Sequence, residues 1–304
     1  MKQVVVIINR KAGSDAPTPD EGDIRDAFAR HGISAQVRSV AGEELLETAR
    51  QAAGEGAEVI VAAGGDGTIS AVASALAGSE GVMGVLPMGT LNHFAKDLKL
   101  PLELAEAARV IAQGAPRKVD VATVNGRVFL NNSSIGIYPH IVKRRDRMME
   151  RLGRGKWLSM LVAVLSLFRR FPLVRVRLGI GDKTVLRTTP FVFVGNNEYE
   201  LDALALGGRK TIEGGVLCLY FANRTGRWGL FVLALRALLG RLNESKDFES
   251  LCLKEVWIES SKKRLRVSAD GELMRMSPPL HYQIRPAALK VMAPRDATND
   301  AAPG

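Results

Sequence analysis

The chain has 304 residues, of which 46% are hydrophobic and 24% are charged. These values are typical of a globular protein with room for one large or two medium domains, and such a chain can fold without metal or disulfide cross-links. The formal net charge of +10 predicts an anionic partner, either nucleic acid or an acidic membrane surface. Aromatic residues make up only 6% and do not interleave with the basic runs, so no nucleic-acid partner is expected.

Two local features bear on where the protein works. Cys218 and Cys252 lie in apolar, alternating stretches, and neither has a partner at the spacing of metal ligands. We expect two small buried thiols in a reducing compartment. The apolar run at residues 4–8 is too short for the core of a signal peptide, so a cytoplasmic location is expected.

The first part of the chain alternates short apolar segments with amphipathic ones. This alternation is typical of βαβ units and predicts a doubly wound, mostly parallel sheet. The predicted elements are residues 4–8, 23–30, 35–40, 43–53, 59–63, 69–76, 82–86 and 102–113.

The second part, residues 126–282, has the period-two alternation and polar turns of an antiparallel β-rich domain. Asn125-Gly126 is a strong hairpin signal. Residues 294–304 are polar and are predicted to be a disordered tail. Further strands are predicted at residues 174–180, 188–194, 216–221, 248–258, 265–269 and 280–284.

The most informative segment, residues 59–68, has the pattern of a buried strand that runs into a turn with three glycines. Glycines let the backbone approach a ligand closely. Good helix formers follow, so the turn would lie at a helix N-terminus, where free N–H groups favour an anion such as phosphate. The alternative is that the glycines only permit a tight connection and that Asp66 caps the helix.

Two further polar turns follow predicted strands of the same sheet. Asn9 ends the first strand, and Gly89, Thr90 and Asn92 follow the strand at residues 82–86. Because the carboxyl ends of parallel strands share one edge, the three turns together predict a nucleotide-phosphate site. The chain has no P-loop motif and no Gly-x-Gly-x-x-Gly after a strand, which excludes a P-loop NTPase and disfavours a nicotinamide dehydrogenase.

Four motifs follow one another along the chain: Gly64-Gly65-Asp66-Gly67-Thr68, Pro87-x-Gly89-Thr90-x-Asn92-x-Phe94-Ala95, Val119-Asp120-Val121 and Asp270-Gly271-Glu272. In this order they resemble the diacylglycerol kinase catalytic family, which includes bacterial lipid kinases and sphingosine kinases. The resemblance extends from Asn9 to about Val291. The first motif also occurs in NAD kinases, but the chain carries no second NAD-kinase signature.

The resemblance implies an α/β nucleotide-binding domain at residues 1–125, joined by a C-terminal segment at about 283–293, and a β-sandwich domain that takes the lipid substrate. The active site would lie in the cleft between them. The implied reaction transfers the γ-phosphoryl group of ATP, with Mg²⁺, to the hydroxyl of a lipid such as diacylglycerol or a sphingoid base.

The resemblance also assigns roles to individual residues. Asp66 and Asp120 would position Mg²⁺, Asp120 through water, and Glu272 would be the catalytic base, so Asp66 and Glu272 are the catalytic candidates. A carboxylate within hydrogen-bond reach of the lipid hydroxyl can accept its proton. The nucleotide would be held by Asn9, Gly64, Gly65, Asp66, Gly67, Thr68, Gly89, Thr90 and Asn92.

Without the resemblance, the same residues have simpler interpretations. Asp270-Gly271 would be a hairpin turn with Glu272 a solvated strand residue, and Asp120 would be an ordinary carboxylate at a strand edge. The chain also departs from the family at residues 212–215, where Ile-Glu-Gly-Gly lacks one expected carboxylate. A second, structural Mg²⁺ is therefore not expected.

A basic segment at residues 143–156 leads into an apolar one at residues 157–168. About a dozen apolar residues are too few to span a bilayer. A basic collar beside an apolar helix suits an interfacial contact, and Arg154, Lys156 and Trp157 are the predicted contacts with an anionic membrane surface. The alternative is a buried helix that covers the sandwich and has a solvated basic face.

We therefore expect an ATP-dependent lipid kinase that is cytoplasmic and peripherally associated with the inner membrane face. Two alternatives stay open: a non-catalytic nucleotide- or lipid-binding module on the same fold, and an NAD-kinase-like enzyme. A nucleic-acid binder driven by net charge is a third. The sequence leaves open which lipid is phosphorylated and whether the chain forms a homodimer.

Overall fold

The structure is a computed structural model, and it describes residues 3–10, 19–136, 174–180, 183–200, 208–222 and 248–295. The chain divides into two compact units. The first unit comprises Met1–Val121 and Arg285–Gly304, and the second unit comprises Ala122–Ile284.

The elements of the first unit are β1 (Val4–Asn9), α1 (Glu21–Ala29), β2 (Ala35–Val40), a 3-10 turn (Gly42–Glu44), α2 (Leu45–Gly54), β3 (Val59–Gly64), α3 (Asp66–Leu76), β4 (Val82–Pro87), α4 (His93–Asp97), α5 (Leu104–Gln113) and the C-terminal half of β16 (Leu280–Ala293). They are built on a parallel sheet with the strand order β2-β1-β3-β4, and the C-terminal half of β16 lies beside β4 in parallel.

Helices cover both faces of this sheet. Alternate side chains of a strand point to opposite faces, and Val4 and Val6 of β1 pack into one core cluster with Ile24 of α1. Val5 and Ile7, on the opposite face of the same strand, are fully buried as well, and α2 contacts β1. A strand buried on both faces explains the continuous apolar run in the sequence, and the predicted doubly wound sheet is confirmed.

The second unit is an antiparallel β-sandwich, as predicted. β5 (Ala115–Val124) runs from the first unit into the second, which begins at Ala122. The other strands are β6 (Arg127–Phe129), β7 (Asn132–Gly136), β8 (Val174–Ile180), β9 (Lys183–Thr189), β10 (Phe191–Asn196), β11 (Leu217–Ala222), β12 (Phe248–Leu253), β13 (Glu255–Glu259), β14 (Leu265–Ala269) and β15 (Glu272–Met276). One sheet has the order β12-β11-β10-β7-β14-β15, and the facing layer contains β9, β8, β13 and the start of β16. Their inward side chains form a single apolar core.

The hairpin predicted at Asn125-Gly126 joins β5 to β6, and both residues have positive φ angles, 48° and 80°. This backbone conformation is the one that Asn and Gly favour in two-residue turns. The Asn125 side chain also accepts a hydrogen bond of 2.7 Å from the backbone N–H of His281, which fixes the turn to β16.

Two predicted strands are wrong as single elements. Residues 188–194 are divided at Pro190 into the end of β9 and the start of β10, and residues 248–258 are divided at Lys254 into β12 and β13. In both cases the chain leaves one sheet of the sandwich and enters the other. At the second break the carbonyl of Lys254 accepts a 3.0 Å hydrogen bond from the N–H of Ile284.

The prediction of two buried free thiols is also wrong. Cys218 on β11 lies directly opposite Cys252 on β12, with 4.1 Å between their Cα atoms, and a disulfide joins them. Cys218 is buried, whereas Cys252 is exposed. The two cysteines are 34 residues apart in the sequence, and they meet only because of the register between β11 and β12. The sequence alone therefore did not predict the disulfide.

Cys218 belongs to a small aromatic cluster with Phe193, Tyr199 and Tyr220. The Tyr220 hydroxyl accepts a 2.8 Å hydrogen bond from the backbone N–H of Tyr199. Burial raises the pKa of the Tyr220 phenol to about 12, because the phenolate would lose its hydration.

This pKa predicts a loss of stability in alkali. An unfolded tyrosine ionises near pH 10, whereas the folded Tyr220 ionises only near pH 12. The neutral phenol therefore contributes its full stabilisation below pH 10, and this contribution is lost as the pH rises from about 10 to about 12. One such group contributes a slope of about 1.4 kcal/mol per pH unit. Urea unfolding at several pH values should show a shallower decline for Tyr220→Phe than for the wild type.

Phe193→Leu is the matched control, because it disturbs the same cluster without removing a phenol. It should keep the wild-type slope even if its overall stability is lower. Parallel pH profiles for the wild type and Tyr220→Phe would contradict the assignment.

Candidate active site

A cleft opens in the first unit at the carboxyl ends of its parallel strands. With β2 on one side of β1 and β3 on the other, the chain reverses its winding between β1 and β3, which is where open α/β sheets bind ligands. The cleft has a volume of about 200 Å³. Its lining includes the predicted site residues Asn9 and Gly64 and, in addition, Arg10, Ser39 and Met88.

The two glycine turns of the first unit touch each other beside this cleft. A Cβ atom on Gly89 would lie only 2.6 Å from the Cα of Gly65. The carbonyl of Gly64 accepts a 3.0 Å hydrogen bond from the N–H of Met88, which joins the same two turns. Thr68 completes the first turn, since a Cβ on Gly64 would meet its hydroxyl at 2.5 Å. The predicted convergence of these turns is therefore present.

Asn92 shapes the second turn from within. Its side-chain oxygen accepts a 3.0 Å hydrogen bond from the N–H of Gly89, and its side-chain nitrogen donates a 2.8 Å bond to the carbonyl of the same residue. Asn92 has a positive φ of 50° and is buried, whereas Thr90 is exposed. The geometry gives Asn92 a part in forming the loop and leaves Thr90 open to solvent.

Asp66 is the first residue of α3, and Gly65 occupies the N-cap position. The alternative in which Asp66 caps the helix is therefore wrong. One of its carboxylate oxygens, Oδ1, is buried and has no hydrogen-bond partner among the residues that the structure describes. A buried carboxylate oxygen without a partner is costly unless a cation or a helix N-terminus stabilises it. This environment suits a hard cation such as Mg²⁺, which prefers oxygen ligands.

Asp120, also in the first unit, is 3% exposed. Its carboxylate accepts a 2.8 Å hydrogen bond from the backbone N–H of Ala287 in β16. Ala287 has a φ of 51°, a conformation that non-glycine residues seldom adopt. Asp120 therefore stabilises an unusual backbone conformation within β16, a structural role that the sequence did not reveal.

The described residues do not form a complete set of protein ligands for Mg²⁺. Within residues 3–10, 19–136, 174–180, 183–200, 208–222 and 248–295, no three His, Cys, Asp or Glu side chains gather at a spacing that could hold a metal ion. Mg²⁺ is commonly held by one or two carboxylates, with substrate phosphates and water as the remaining ligands. Asp66 and Asp120 are carboxylates of the kind that this mode uses.

Glu272 lies in the second unit, directly after the Asp270-Gly271 turn. Both turn residues have positive φ angles, 46° and 84°, so this is the hairpin turn that the dipeptide indicates. Glu272 opens β15 and forms an ion pair with Arg127, and both side chains are about half exposed.

Asp270 has a role that sequence reasoning missed. Its carboxylate accepts hydrogen bonds of 2.7, 2.8 and 3.2 Å from the consecutive N–H groups of Leu130, Asn131 and Asn132. Arg209 supports the same corner, because its guanidinium donates to the carbonyls of Leu130, at 2.7 Å, and Asn196, at 3.1 Å. The sequence showed only the Asp-Gly signal of the turn, because the residues that bond to the Asp270 carboxylate lie 138 to 140 positions away from it.

The predicted membrane contacts Arg154, Lys156 and Trp157 lie outside the described residues. In the part of the chain that the structure describes, no helix is both long and apolar enough to cross a membrane.

Comparison with known proteins agrees with the two units. The family described as "Diacylglycerol kinase catalytic domain" matches residues 3–124, and the "YegS C-terminal NAD kinase beta sandwich-like domain" matches residues 134–293. Fold and glycine turns thus define a kinase of the diacylglycerol kinase class. A Pseudomonas savastanoi pv. phaseolicola protein named "Probable lipid kinase YegS-like" is 31% identical over 299 residues, which are 90% of each chain. The chain belongs to this family of YegS-like lipid kinases.

Two further relatives extend the comparison. The Synechocystis sp. protein sll0036 is 26% identical over 258 residues, which cover 83% of this chain and 58% of the relative's length. The crystal structure of a diacylglycerol kinase from Bacillus anthracis str. Sterne has a TM-score of 0.69 and 21% identity, and 97% of each chain is covered. At that identity the likeness shows the shared fold.

The contact between the glycine turns predicts the effect of a single methyl group. Gly89→Ala would place a Cβ against the Gly65 backbone, so the turns must separate. We expect ATP affinity, measured by calorimetry in the presence of Mg²⁺, to fall at least about tenfold, or ~1.4 kcal/mol.

Gly54→Ala is the control, because a Cβ at this position in α2 meets no atom within 4 Å. It should bind ATP as the wild type does. An unchanged affinity in Gly89→Ala would show that the contact does not shape the nucleotide site.

Proposed function

We propose that the chain transfers the γ-phosphoryl group of ATP to the hydroxyl of a lipid such as diacylglycerol or a sphingoid base. The observation that carries the proposal is the contact between the Gly65 and Gly89 turns, next to an Asp66 oxygen that is buried and has no partner within the described part of the chain. Membership of a lipid kinase family supports the class of reaction, and the choice of ATP and of the acceptor is part of the proposal.

In this proposal the first unit binds the nucleotide. The backbone N–H groups around Gly65 and Gly67 cradle the phosphates, and the N-terminus of α3 adds a favourable dipole. The N–H of Gly89 is already bonded to Asn92, so Gly89 serves by letting the second turn lie against Gly65. Asn9 and the cleft at the ends of β1 and β3 receive the rest of the nucleotide. Phosphoryl transfer depends mainly on such positioning and on neutralisation of charge.

Asp66 and Asp120 would hold Mg²⁺. The ion supplies positive charge that offsets the negative charge of the phosphates when it is bound. Because Asp120 already accepts a hydrogen bond from Ala287, we assign the direct contact to Asp66 and a contact through water to Asp120.

Glu272 of the second unit acts as the general base. As the lipid oxygen forms its bond to the γ-phosphorus and the bond to ADP breaks, the hydroxyl proton passes to the Glu272 carboxylate. The exposure of Glu272 on the first residue of β15 leaves it accessible to an incoming hydroxyl.

We further propose that the protein works in the cytoplasm at the inner membrane face, where a lipid acceptor is available. The net charge of +10 favours adsorption to anionic lipid. The basic and apolar segment that contains Arg154, Lys156 and Trp157 is the proposed contact.

The decisive experiment incubates the purified chain with labelled ATP, Mg²⁺ and a total lipid extract, followed by identification of the labelled product. Asp66→Asn and Glu272→Gln should each lower the turnover number at least about 100-fold, since each removes a charge that the reaction uses. Glu259→Gln is the matched control, because Glu259 is an exposed carboxylate that pairs with Arg177 in the same unit.

Full activity in both Asp66→Asn and Glu272→Gln would refute the residue assignments. NAD⁺ belongs in the same assay as an acceptor, because the C-terminal half matches a domain described as NAD kinase-like. A labelled dinucleotide in place of a labelled lipid would establish the NAD-kinase-like alternative. Tight ATP binding without any labelled product would point to a non-catalytic module.

A further inference from the structure

Glu272 is held by a specific neighbour. Arg127 is the first residue of β6, after the Asn125-Gly126 turn, and its Nη2 pairs with Oε2 of Glu272. Among the described residues, the second carboxylate oxygen, Oε1, has no hydrogen-bond partner. One oxygen of the proposed base is thus engaged in the ion pair, and the side chain as a whole is about half exposed.

The backbones that carry this pair are locked together. Asp270, at the tip of the β14–β15 hairpin, accepts the three N–H bonds of Leu130, Asn131 and Asn132, which directly follow β6. These bonds tie the turn before β15 to the segment after β6, so the two short strands that carry the pair are held near each other by their backbones. Exposed ion pairs contribute little to stability as a rule, so a pair supported in this way calls for a purpose other than stability.

We propose that Arg127 is a positioning residue, which holds Glu272 through Oε2 and directs Oε1 at the hydroxyl of the lipid. This inference rests on the proposed function. An enzyme base is commonly oriented by a third group, and a guanidinium is well suited because it stays protonated and cannot take the proton itself. The lipid O–H bond breaks, its proton goes to Oε1, the oxygen bonds to the γ-phosphorus, and ADP leaves.

The second unit contains a natural control. Arg177 and Glu259 form an ion pair of 3.2 Å between β8 and β13, with side chains 59% and 54% exposed, against 51% and 54% for Arg127 and Glu272. The two pairs have the same chemistry and similar exposure. Loss of an ordinary surface ion pair should therefore have the same consequence at both places.

The test compares Arg127→Met with Arg177→Met in the full chain, with the lipid that the labelling experiment identifies as acceptor. Arg127→Met should lower the turnover number by about 10- to 100-fold, because a misdirected base costs that order of rate, and should leave the KM for ATP unchanged. Arg177→Met should remain within about twofold of the wild type. Arg127→Lys should recover part of the lost rate, and its recovery gives a second readout if Arg127→Met folds poorly.

A double variant separates positioning from a general structural role. In the Glu272→Gln background there is no base to orient, so adding Arg127→Met should lower the turnover number by less than about twofold. Multiplication of the two single effects would overturn the inference. So would equal turnover numbers for Arg127→Met and Arg177→Met, in which case the kinase assignment would stand alone. A wild-type chain that phosphorylates no lipid would remove the proposed function, and this inference with it.

Discussion

The approach of the Gly65 backbone to the Gly89 backbone is the contact on which the candidate nucleotide site depends. Two parallel strands deliver their following turns to the same edge, but turns with side chains would stand apart at that edge. With no Cβ on Gly89, the turns meet and the N–H of Met88 reaches the carbonyl of Gly64. The absence of a Cβ on Gly89 thus lets the second turn lie against the N-terminus of α3, and helix N-termini are places where proteins commonly bind phosphate.

Asp66 shows that this surface is built for charge and not only for close packing. A strand-to-helix connection of glycines alone would need no carboxylate, and the N-cap position is already occupied by Gly65. Yet one Asp66 oxygen is buried and has no hydrogen-bond partner among the described residues, which is unfavourable for a carboxylate. Proteins keep such a cost where a ligand relieves it, so the unpaired oxygen and the glycine contact support the same interpretation.

Local signals predicted most of the first unit and less of the second. Continuous apolar runs such as residues 59–63 predict a strand that is covered on both faces, and good helix formers follow directly in the sequence. In the sandwich, residues 188–194 and 248–258 keep an unbroken alternation while the chain changes sheets at Pro190 and Lys254. Whether an alternating run stays in one sheet depends on its distant partners, as in the bond from Ile284 to Lys254, and a single sequence does not contain that information.

In the candidate site, too, local features could be predicted from the sequence and long-range contacts could not. The glycine turns and the Asp-Gly and Asn-Gly hairpins are local and visible in the sequence. The pair of Arg127 with Glu272 joins residues 145 positions apart, and Asp270 reaches back 138 to 140 positions to the corner after β6. Each hairpin turn is also followed directly by one member of this ion pair, since Arg127 begins β6 and Glu272 begins β15. A turn signal predicted the reversal in both cases, whereas neither the charge pair nor the bonds from the segment after β6 to Asp270 could be predicted from neighbouring residues.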